Sequence, residues 1–281
     1  MKTTIALIAL LVVLVVGYLY VSDNNYITNN SAAEREFTAE QERLVTETGT
    51  PGVTLAAIEH ASMVLNIGPT QVYVDPVGDP SAYRTLDGAN IILVTHDHPD
   101  HFSTSTITEL AFDDTNIVVP QSVFDRLPPE LQPQAIVLAN NTATTVRDVV
   151  IGAVPAYNLL SASSSATSSS SEVFHEEGEG NGYIIAQDGG IRIYVAGDTG
   201  NTPEMRALEN IDIAFVPMNQ PYTMSEQEAA DAVISFAPRV VYPYHYRNQD
   251  GTFADLDLFE SLVTDSQQDI RVARADWYDT N

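Results

Sequence analysis

From residue 51 to the C-terminus, short runs of β-branched apolar residues alternate with longer stretches in which apolar residues recur at helical spacing. The β-branched runs predict strands, and residues 56–67 and 71–74 predict a hairpin. Further strands are predicted at 91–95, 117–119, 136–138, 146–154, 183–186, 191–196, 211–216, 240–242 and 270–273. Strands and helices in both halves of the chain predict an α/β (α+β) fold of layered sheets covered by helices.

Capping signals mark the starts of the predicted helices. Thr202-Pro203-Glu204 combines a cap with proline at the first helical position. Ser225-Glu226-Gln227-Glu228 has the pattern of a capping box and opens an apolar-periodic run that reaches Phe236. Two further helices are predicted, one near Ser103, where Ile107, Leu110 and Ala111 share a face, and one over 256–263.

The N-terminal segment is apolar and not periodic. Residues 5–21 are apolar apart from Gly17 and two tyrosines, and Lys2 precedes them. At about 1.5 Å per residue this length is near the short limit for a helix that spans a bilayer. We predict an uncleaved signal anchor over 1–22, which would attach the protein to the membrane with its catalytic part outside the cytoplasm. A cleaved signal peptide, giving a secreted or periplasmic protein, is the alternative, although Ser31-Ala32-Ala33 comes late for its cleavage site.

Two polar segments interrupt or precede the folded part. Residues 23–50 are rich in Glu, Asn and Thr and predict a polar stalk, with a short helix near 33–45. A folded domain is predicted over 51–281. Within it, residues 161–171 are almost entirely serine and predict a flexible loop, inserted between two strands of one domain. The loop is either a plain linker or a lid over the candidate site described next.

Composition excludes several classes of function. The chain of 281 residues has 38 acidic and 12 basic side chains, a formal net charge of −26, and no cysteine. Nucleic acid binding needs a basic face, so we expect a small-molecule substrate and no nucleic acid as partner. Without cysteine, thiolate-ligated zinc, an iron–sulfur cluster and a cysteine nucleophile are all excluded.

A histidine-rich loop follows the predicted strand over 91–95. It reads His96-Asp97-His98-Pro99-Asp100-His101 and contains three of the six histidines in the chain. Imidazole nitrogens and carboxylate oxygens are ligands for zinc, manganese or iron. Several such groups at the carboxyl end of one strand predict a metal site. With further ligands from other loops, the site could hold two cations.

Two later strands are also followed by metal-binding residue types. Asp198, in Gly197-Asp198-Thr199, follows the strand over 191–196, and His245, in Tyr244-His245-Tyr246, follows the strand over 240–242. A carboxylate can bridge two cations about 3.5–4 Å apart, and we predict this role for Asp198. The same pattern of a strand followed by a ligand thus occurs three times.

These residues resemble the metallo-β-lactamase-fold hydrolases, and among them the branch of ascorbate-phosphate lactonase-like proteins. The resemblance extends from about residue 53 to the C-terminus and rests on six motifs. They are Thr95-His96-Asp97-His98-Pro99-Asp100-His101, Ala153-Val154-Pro155-Ala156-Tyr157-Asn158, Phe174-His175-Glu176-Glu177-Gly178, Gly182-Tyr183-Ile184-Ile185, Ala196-Gly197-Asp198-Thr199 and Pro243-Tyr244-His245-Tyr246. The resemblance implies a four-layer αββα sandwich of two similar halves with a dinuclear centre at the sheet edge.

The resemblance also implies a ligand set. His96 and His98 would bind the first metal ion, Asp100, His101 and His245 the second, and Asp198 would bridge the two. Zinc is the expected metal, with manganese or iron as alternatives.

The third histidine of the first metal ion is less directly indicated. Many relatives have a histidine straight after the segment that here reads Pro155-Ala156-Tyr157-Asn158, where this chain has none. We assign the role to His175, although Glu176 and Glu177 stand where relatives often have proline and a basic residue. That exchange argues against a phosphorylated substrate. His60, where similar proteins also have histidine, is expected to be a functional residue, to support a metal ligand or to pack in the core.

Two metal ions would lower the pKa of a water molecule and polarise the bond under attack. We therefore predict a hydrolase of an ester, lactone or amide, with Asp100 and Asp198 as catalytic residues and Asp100 moving a proton to the leaving group. Tyr157, Tyr222 and Tyr246 are candidate donors to the oxyanion, and Asn158 is a candidate contact to the substrate.

Three other functions remain as alternatives. The first is phosphodiester hydrolysis at the same centre. The second is a catalytically silent, membrane-tethered metal-binding protein, which the complete set of ligands argues against. The third, electron transfer or oxygen reduction on two iron ions, would be expected to need a flavin module, and the sequence has no glycine-rich phosphate loop.

Overall fold

A computed structural model describes residues 45–84, 86–159, 173–187 and 190–278. The predicted anchor over 1–22, the first part of the stalk over 23–44 and the serine-rich loop over 161–171 lie outside the described residues. No helix in the described part of the chain has the length and hydropathy needed to cross a bilayer.

The first sheet has seven strands in sequence order. They are β1 (Val45–Glu47), β2 (Val53–Glu59), β3 (Ser62–Ile67), β4 (Thr70–Val74), β5 (Ile91–Leu93), β6 (Asn116–Val119) and β7 (Ala135–Val137). β1 to β4 are antiparallel neighbours, whereas β4 to β7 are parallel. Because β1 pairs with β2, the end of the predicted stalk belongs to the sheet, which corrects the expected boundary at residue 50.

The second sheet repeats this arrangement. Its strands are β8 (Ala143–Val146), β9 (Val149–Ala156), β10 (Gly180–Gln187), β11 (Arg192–Val195), β12 (Ile213–Pro217), β13 (Val240–Tyr244) and β14 (Arg271–Val272). β8 to β11 are antiparallel neighbours and β11 to β14 are parallel. The two sheets therefore correspond strand for strand, with β4 matching β11 and β5 matching β12.

Five α-helices lie between these strands in the described ranges of the chain. They are α1 (Thr104–Leu110), α2 (Gln121–Phe124), α3 (Pro203–Arg206), α4 (Glu226–Phe236) and α5 (Leu256–Asp265), with short 3-10 helices at Pro80–Tyr83 and Gln132–Gln134. The two predicted caps are confirmed: Thr202 caps α3, and Ser225 and Glu228 form the capping box of α4. The helix predicted near Ser103 is α1, and the side chain of Ser103 caps it. α2 was not predicted.

Alternation along the strands produces four layers. In β5, Ile91 and Leu93 face the core between the sheets, while Ile92 faces an outer core that contains Ile107 of α1. In the second sheet, Phe215 faces the inner core, and the alternate residues of β12 pack under α4 and α5. The predicted αββα sandwich is confirmed.

Candidate metal centre

The histidine-rich loop begins two residues after β5 and folds into a tight turn. The backbone N–H groups of His101 and Phe102 both donate to the carbonyl of His98, at 3.0 and 2.8 Å. The Arg126 guanidinium donates to the Asp97 carbonyl at 2.6 Å and to its carboxylate at 2.7 Å. These bonds hold the loop so that the rings of its three histidines gather, with the His96 and His101 centroids 4.1 Å apart.

Three histidines form the first ligand group, which we define as His96, His98 and His175. One ring nitrogen from each lies within 4.8 Å of the others. His175 comes from the connection between β9 and β10, 74 residues after the end of the histidine-rich loop in sequence (175 − 101). The structure therefore brings together the three histidines that were assigned to one metal ion.

Asp100, His101 and His245 form the second ligand group, whose ligand atoms also lie within 4.8 Å of one another. His245 Nε2 is 3.3 Å from Asp100 Oδ2, and His101 Nε2 is 3.9 Å from the same oxygen. His101 and His245 are buried, while the side chain of Asp100 is 46% exposed. Asp100 is therefore the member of this group that solvent and substrate can reach.

Asp198 lies between the two groups. Its Oδ1 is 3.4 Å from His101 Nε2, and its Oδ2 is 3.5 Å from His175 Nε2 and 3.7 Å from His245 Nε2. The side chain is 4% exposed. One carboxylate thus contacts members of both ligand groups, which is the placement expected of a bridging ligand.

The buried atoms at the centre fit a metal ion. His96 Nε2, His101 Nε2, His175 Nε2 and Asp198 Oδ1 are buried and have no hydrogen-bond partner among the described residues. Leaving one buried polar atom without a partner costs about 1–3 kcal/mol. Nitrogen and oxygen ligands that converge in this way suit zinc, manganese or iron, which would satisfy them together.

Asp75 is a functional residue that the sequence analysis missed. It follows β4 as Asp198 follows β11, and it is fully buried. Its carboxylate accepts from the backbone N–H and the hydroxyl of Thr95, both at 2.7 Å, and lies 2.8 Å from His101 Nδ1. This contact places the proton of His101 on Nδ1 and leaves Nε2 as the ligand atom. The sequence pattern that indicated Asp198 and His245, a predicted strand followed by a metal-binding residue type, also occurs at Asp75, which directly follows the predicted strand over 71–74.

Burial and neighbouring charges shift the pKa values of several groups at the centre. Burial lowers the pKa of His96 and of His175, which favours the neutral form of both rings. Burial also opposes a charge on His101, but the carboxylates of Asp198 and Asp75 outweigh it and raise its pKa. Burial would raise the pKa of Asp198, and the charges of His245 and His101 outweigh that effect and lower it.

Asn158 contacts one of the candidate metal ligands. Its side-chain oxygen accepts from the backbone N–H of His175 at 2.9 Å and lies 3.1 Å from His175 Nδ1. Its NH₂ group donates to the carbonyl of Tyr222 at 2.9 Å. Asn158 therefore positions His175, and its predicted contact with the substrate stays a prediction.

The three candidate tyrosines lie in different surroundings. Tyr157 donates from its hydroxyl to Glu204 at 3.1 Å, and Tyr222 packs edge-on against Phe174, with both tyrosines partly exposed. The ring of Tyr246 packs edge to face against Tyr278 and Phe253. The role of these three tyrosines as oxyanion donors stays a prediction.

His60 belongs to neither ligand group. It lies in the turn between β2 and β3, and its carbonyl accepts from the backbone N–H of His245 at 3.1 Å. The two rings are 5.6 Å apart, and His60 Nδ1 is 3.3 Å from the Tyr278 hydroxyl. His60 therefore supports the backbone that carries His245.

The fold and the site together define a metallo-β-lactamase-fold, metal-dependent hydrolase. A family profile described as Beta-lactamase superfamily domain matches residues 54–245, and the chain belongs to that family. The predicted superfamily is thereby confirmed.

Sequence and structural relatives agree with this assignment. A UPF0173 metal-dependent hydrolase of Thermococcus kodakarensis is 30% identical over 224 residues, which cover 77% of this chain and 94% of the relative. A structure from Parabacteroides distasonis, assigned as a metal-dependent hydrolase, is 35% identical with a TM-score of 0.65 and covers 78% of this chain and 92% of its own. The metallo hydrolase Igni18 of Ignicoccus hospitalis shares the fold, with a TM-score of 0.62 and 22% identity, over 79% of this chain and 95% of that one.

Proposed function

We propose that this metal-dependent hydrolase has a dinuclear centre and cleaves an ester, lactone or amide bond in a small molecule. The observation that carries the proposal is the contact of Asp198 with members of both ligand groups. In this arrangement His96, His98 and His175 would hold one ion, Asp100, His101 and His245 would hold the other, and Asp198 would join them. Zinc is the metal we propose.

Bound there, two such ions would supply a hydroxide nucleophile at neutral pH and would polarise the bond that is attacked. The protein itself contributes orientation and proton transfer. His101 is fixed by Asp75 and His175 by Asn158. The contact with His245 lowers the pKa of Asp100 against the opposing effect of burial. We assign the proton transfer to the leaving group to Asp100 because its side chain, 46% exposed, is the carboxylate of the centre that a substrate can reach.

Charge at the His175 side of the centre favours a carbonyl substrate over a phosphodiester. Glu176 and Glu177 are exposed directly beside His175. The carboxylates of Glu176 and Glu177 would repel a phosphoryl group at this side, whereas they would not repel a neutral or cationic group. We also propose that Tyr157 and Tyr222 contact the substrate here.

We propose further that residues 1–22 attach the enzyme to the membrane with its catalytic domain outside the cytoplasm, on the evidence of the apolar run over 5–21. Immunoblots of membrane and soluble fractions test this proposal. Full-length protein in the membrane fraction is expected. A shortened soluble protein would contradict the proposal and indicate a cleaved signal peptide.

The test of the dinuclear centre compares metal content and turnover. Mass spectrometry of the full chain is expected to find two equivalents of metal in the wild type. Asp198→Ala, His175→Ala and His245→Ala should each lose metal and turnover of 4-nitrophenyl acetate. Asp114→Ala, which removes an exposed surface carboxylate that pairs with Arg147, is the matched control and should keep both.

Other results would contradict specific parts of the proposal. One equivalent of metal would exclude a dinuclear centre. Faster turnover of bis-4-nitrophenyl phosphate than of the ester, a lactone and an anilide would identify a phosphodiesterase. Two bound metal ions without turnover of any of these substrates would favour the silent metal-binding protein.

A further inference from the structure

Arg247 lies at the outer end of a row of side chains that starts at the metal centre. The row consists of His245, His60, Tyr278 and Arg247. The rings of His60 and Tyr278 meet edge to face at 5.3 Å, and the guanidinium carbon of Arg247 lies 4.3 Å from the centroid of Tyr278. The same carbon lies 5.5 Å from the ring of Phe253. An arginine is thus held by two aromatic rings close to the second ligand group.

The guanidinium of Arg247 has no carboxylate partner in the part of the chain that the structure describes. The side chain is exposed. In the same part of the chain, Arg126, Arg147, Arg239 and Arg274 each form an ion pair, whereas Arg84, Arg192, Arg206 and Arg271 form none. Arg247 differs from these other unpaired arginines because it lies over Tyr278, whose ring contacts His60 beside His245. Stacking on aromatic faces leaves the in-plane N–H groups of a guanidinium free to donate.

The segment that carries Arg247 is ordered by its own hydrogen bonds. Arg247 forms an antiparallel bridge with Phe253, and the backbone N–H of Asn248 donates to the carbonyl of Thr252 at 2.8 Å. The side-chain oxygen of Asn248 accepts from the backbone N–H of Gln220 at 2.8 Å. An arginine fixed in this way loses little conformational entropy when it binds an anion.

We propose that Arg247 is a specificity-determining residue that binds a carboxylate group on the substrate while the scissile bond lies at the metal centre. The inference rests on the proposed function and narrows the substrate to a small ester or amide that carries a carboxylate. A carboxylate matches the planar, bidentate donor edge of arginine. The acidic pair Glu176–Glu177 lies beside His175, in the other ligand group, and disfavours the same anion there, so the substrate would bind in one orientation.

The test uses two esters that differ by one charge, 4-acetoxybenzoate and methyl 4-acetoxybenzoate. Both place the scissile acetyl ester at the opposite end of the ring from the charged or neutralised group. For the full-length, metal-loaded protein, Arg247→Gln should raise KM for 4-acetoxybenzoate by about 10-fold or more. Its kcat, and both constants for the methyl ester, should change less than about twofold. Arg247→Lys should restore part of the lost preference, because it keeps the charge but not the bidentate geometry.

A binding measurement and a control variant separate this inference from its alternatives. Calorimetric titration with 4-hydroxybenzoate, a product, should give a dissociation constant that Arg247→Gln raises by the same factor. Arg84→Gln removes another exposed arginine and should change none of these values. If Arg247→Gln does not fold, as judged by circular dichroism, Arg247→Lys provides the comparison.

Each outcome has a defined meaning. No effect of Arg247→Gln on KM for either ester would overturn the inference, because a carboxylate bound by the metal ions alone would not respond to Arg247. An equal effect on KM for both esters would also overturn it, because the effect would then not depend on the carboxylate. If the wild type hydrolysed neither ester, the proposed function would fail for this bond class, and the calorimetric comparison would still decide whether Arg247 binds the carboxylate.

Discussion

Asn158 connects three parts of the chain around the first ligand group. It extends the end of β9, binds both the backbone and the ring of His175, and donates to the loop that carries Tyr222. A metal-binding histidine needs a fixed ring orientation and one defined tautomer, and the partner of its second nitrogen provides both. Asn158 therefore orients the ligand that the connection between β9 and β10 contributes to the first ligand group.

Replacing Asn158 should weaken the first ligand group selectively. We expect Asn158→Ala to lower the affinity for one of the two metal ions by about 10- to 100-fold, because His175 loses its orienting contact. Competition with a chelator, followed by metal analysis, measures the change. Asn66→Ala removes an asparagine that bonds to Thr54 in the first sheet and serves as control. Equal affinities for Asn158→Ala and the control would show that His175 does not depend on Asn158.

A change of Asp75 should act on the second ligand group. Asp75→Asn keeps the volume of the side chain but presents a donor to His101 Nδ1, which forces the ring proton onto Nε2, the ligand atom. We expect the affinity for the second metal ion to fall by about 10- to 100-fold. Asp148→Asn, at a carboxylate that bonds to Thr70 and Gln187 away from the centre, should leave it unchanged. Calorimetric zinc titrations of both variants make the comparison, and a normal second site in Asp75→Asn would contradict the tautomer assignment.

The sequence predicted those site residues that have metal-binding side chains and follow a predicted strand within a few residues. The histidine-rich loop, Asp198 and His245 all follow predicted strands and are metal-binding residue types. His175 lies in a loop, and only the resemblance to a family indicated its role. The roles of Asn158 and Arg247 depend on contacts between residues distant along the chain, which no local pattern contains.

At the scale of elements, two predicted strands each proved to be a hairpin. The predicted strand over 56–67 turns at His60 and becomes β2 and β3, while that over 146–154 turns at Arg147 and separates β8 from β9. Both turn residues have a positive φ, 49° for His60 and 54° for Arg147. Neither residue is glycine or asparagine, the usual residues of such a turn. The sequence therefore contains no turn signal at these positions, and the apolar residues on both sides predicted one continuous strand.

Close packing of β10 against β11 determines where Asp198 lies. A Cβ atom at Gly182 would come within 2.7 Å of the carbonyl oxygen of Ala196, which is backbone and cannot move aside alone. Gly182→Ala should therefore displace the segment that leads to Asp198. We expect it to lower the free energy of unfolding by about 1–3 kcal/mol and to reduce metal content.

A second glycine of the same sheet is the matched control. At Gly152 the nearest atoms to a new Cβ, those of Ala143 and Ile184, are 4.0 Å away. Gly152→Ala should change neither the urea midpoint nor the metal content. Equal destabilisation by the two variants would mean that the loss of glycine itself, and not the contact with Ala196, is responsible.

For the whole molecule, metal binding and folding should be coupled. The ligands come from both sheets and converge only in the folded chain, so metal binds the native state in preference to the unfolded one. At free zinc of 1,000 times the dissociation constant, we expect the free energy of unfolding to rise by about 4 kcal/mol. Urea unfolding with and without zinc measures the rise. This zinc-dependent rise should be smaller in Asp198→Ala and unchanged in Asp114→Ala. A rise of equal size in the two variants would mean that the stabilising ion binds at another site.

The matching strand order of the two sheets has a consequence for how the protein can be divided. The chain passes from the first sheet to the second only once, between β7 and β8. The first half supplies His96, His98, Asp100 and His101, and the second supplies His175, Asp198 and His245. Two fragments cut at this connection would each keep a complete sheet but only part of each ligand group. Fragment complementation would then depend on the metal ions, whose concentration would set how tightly the two pieces associate.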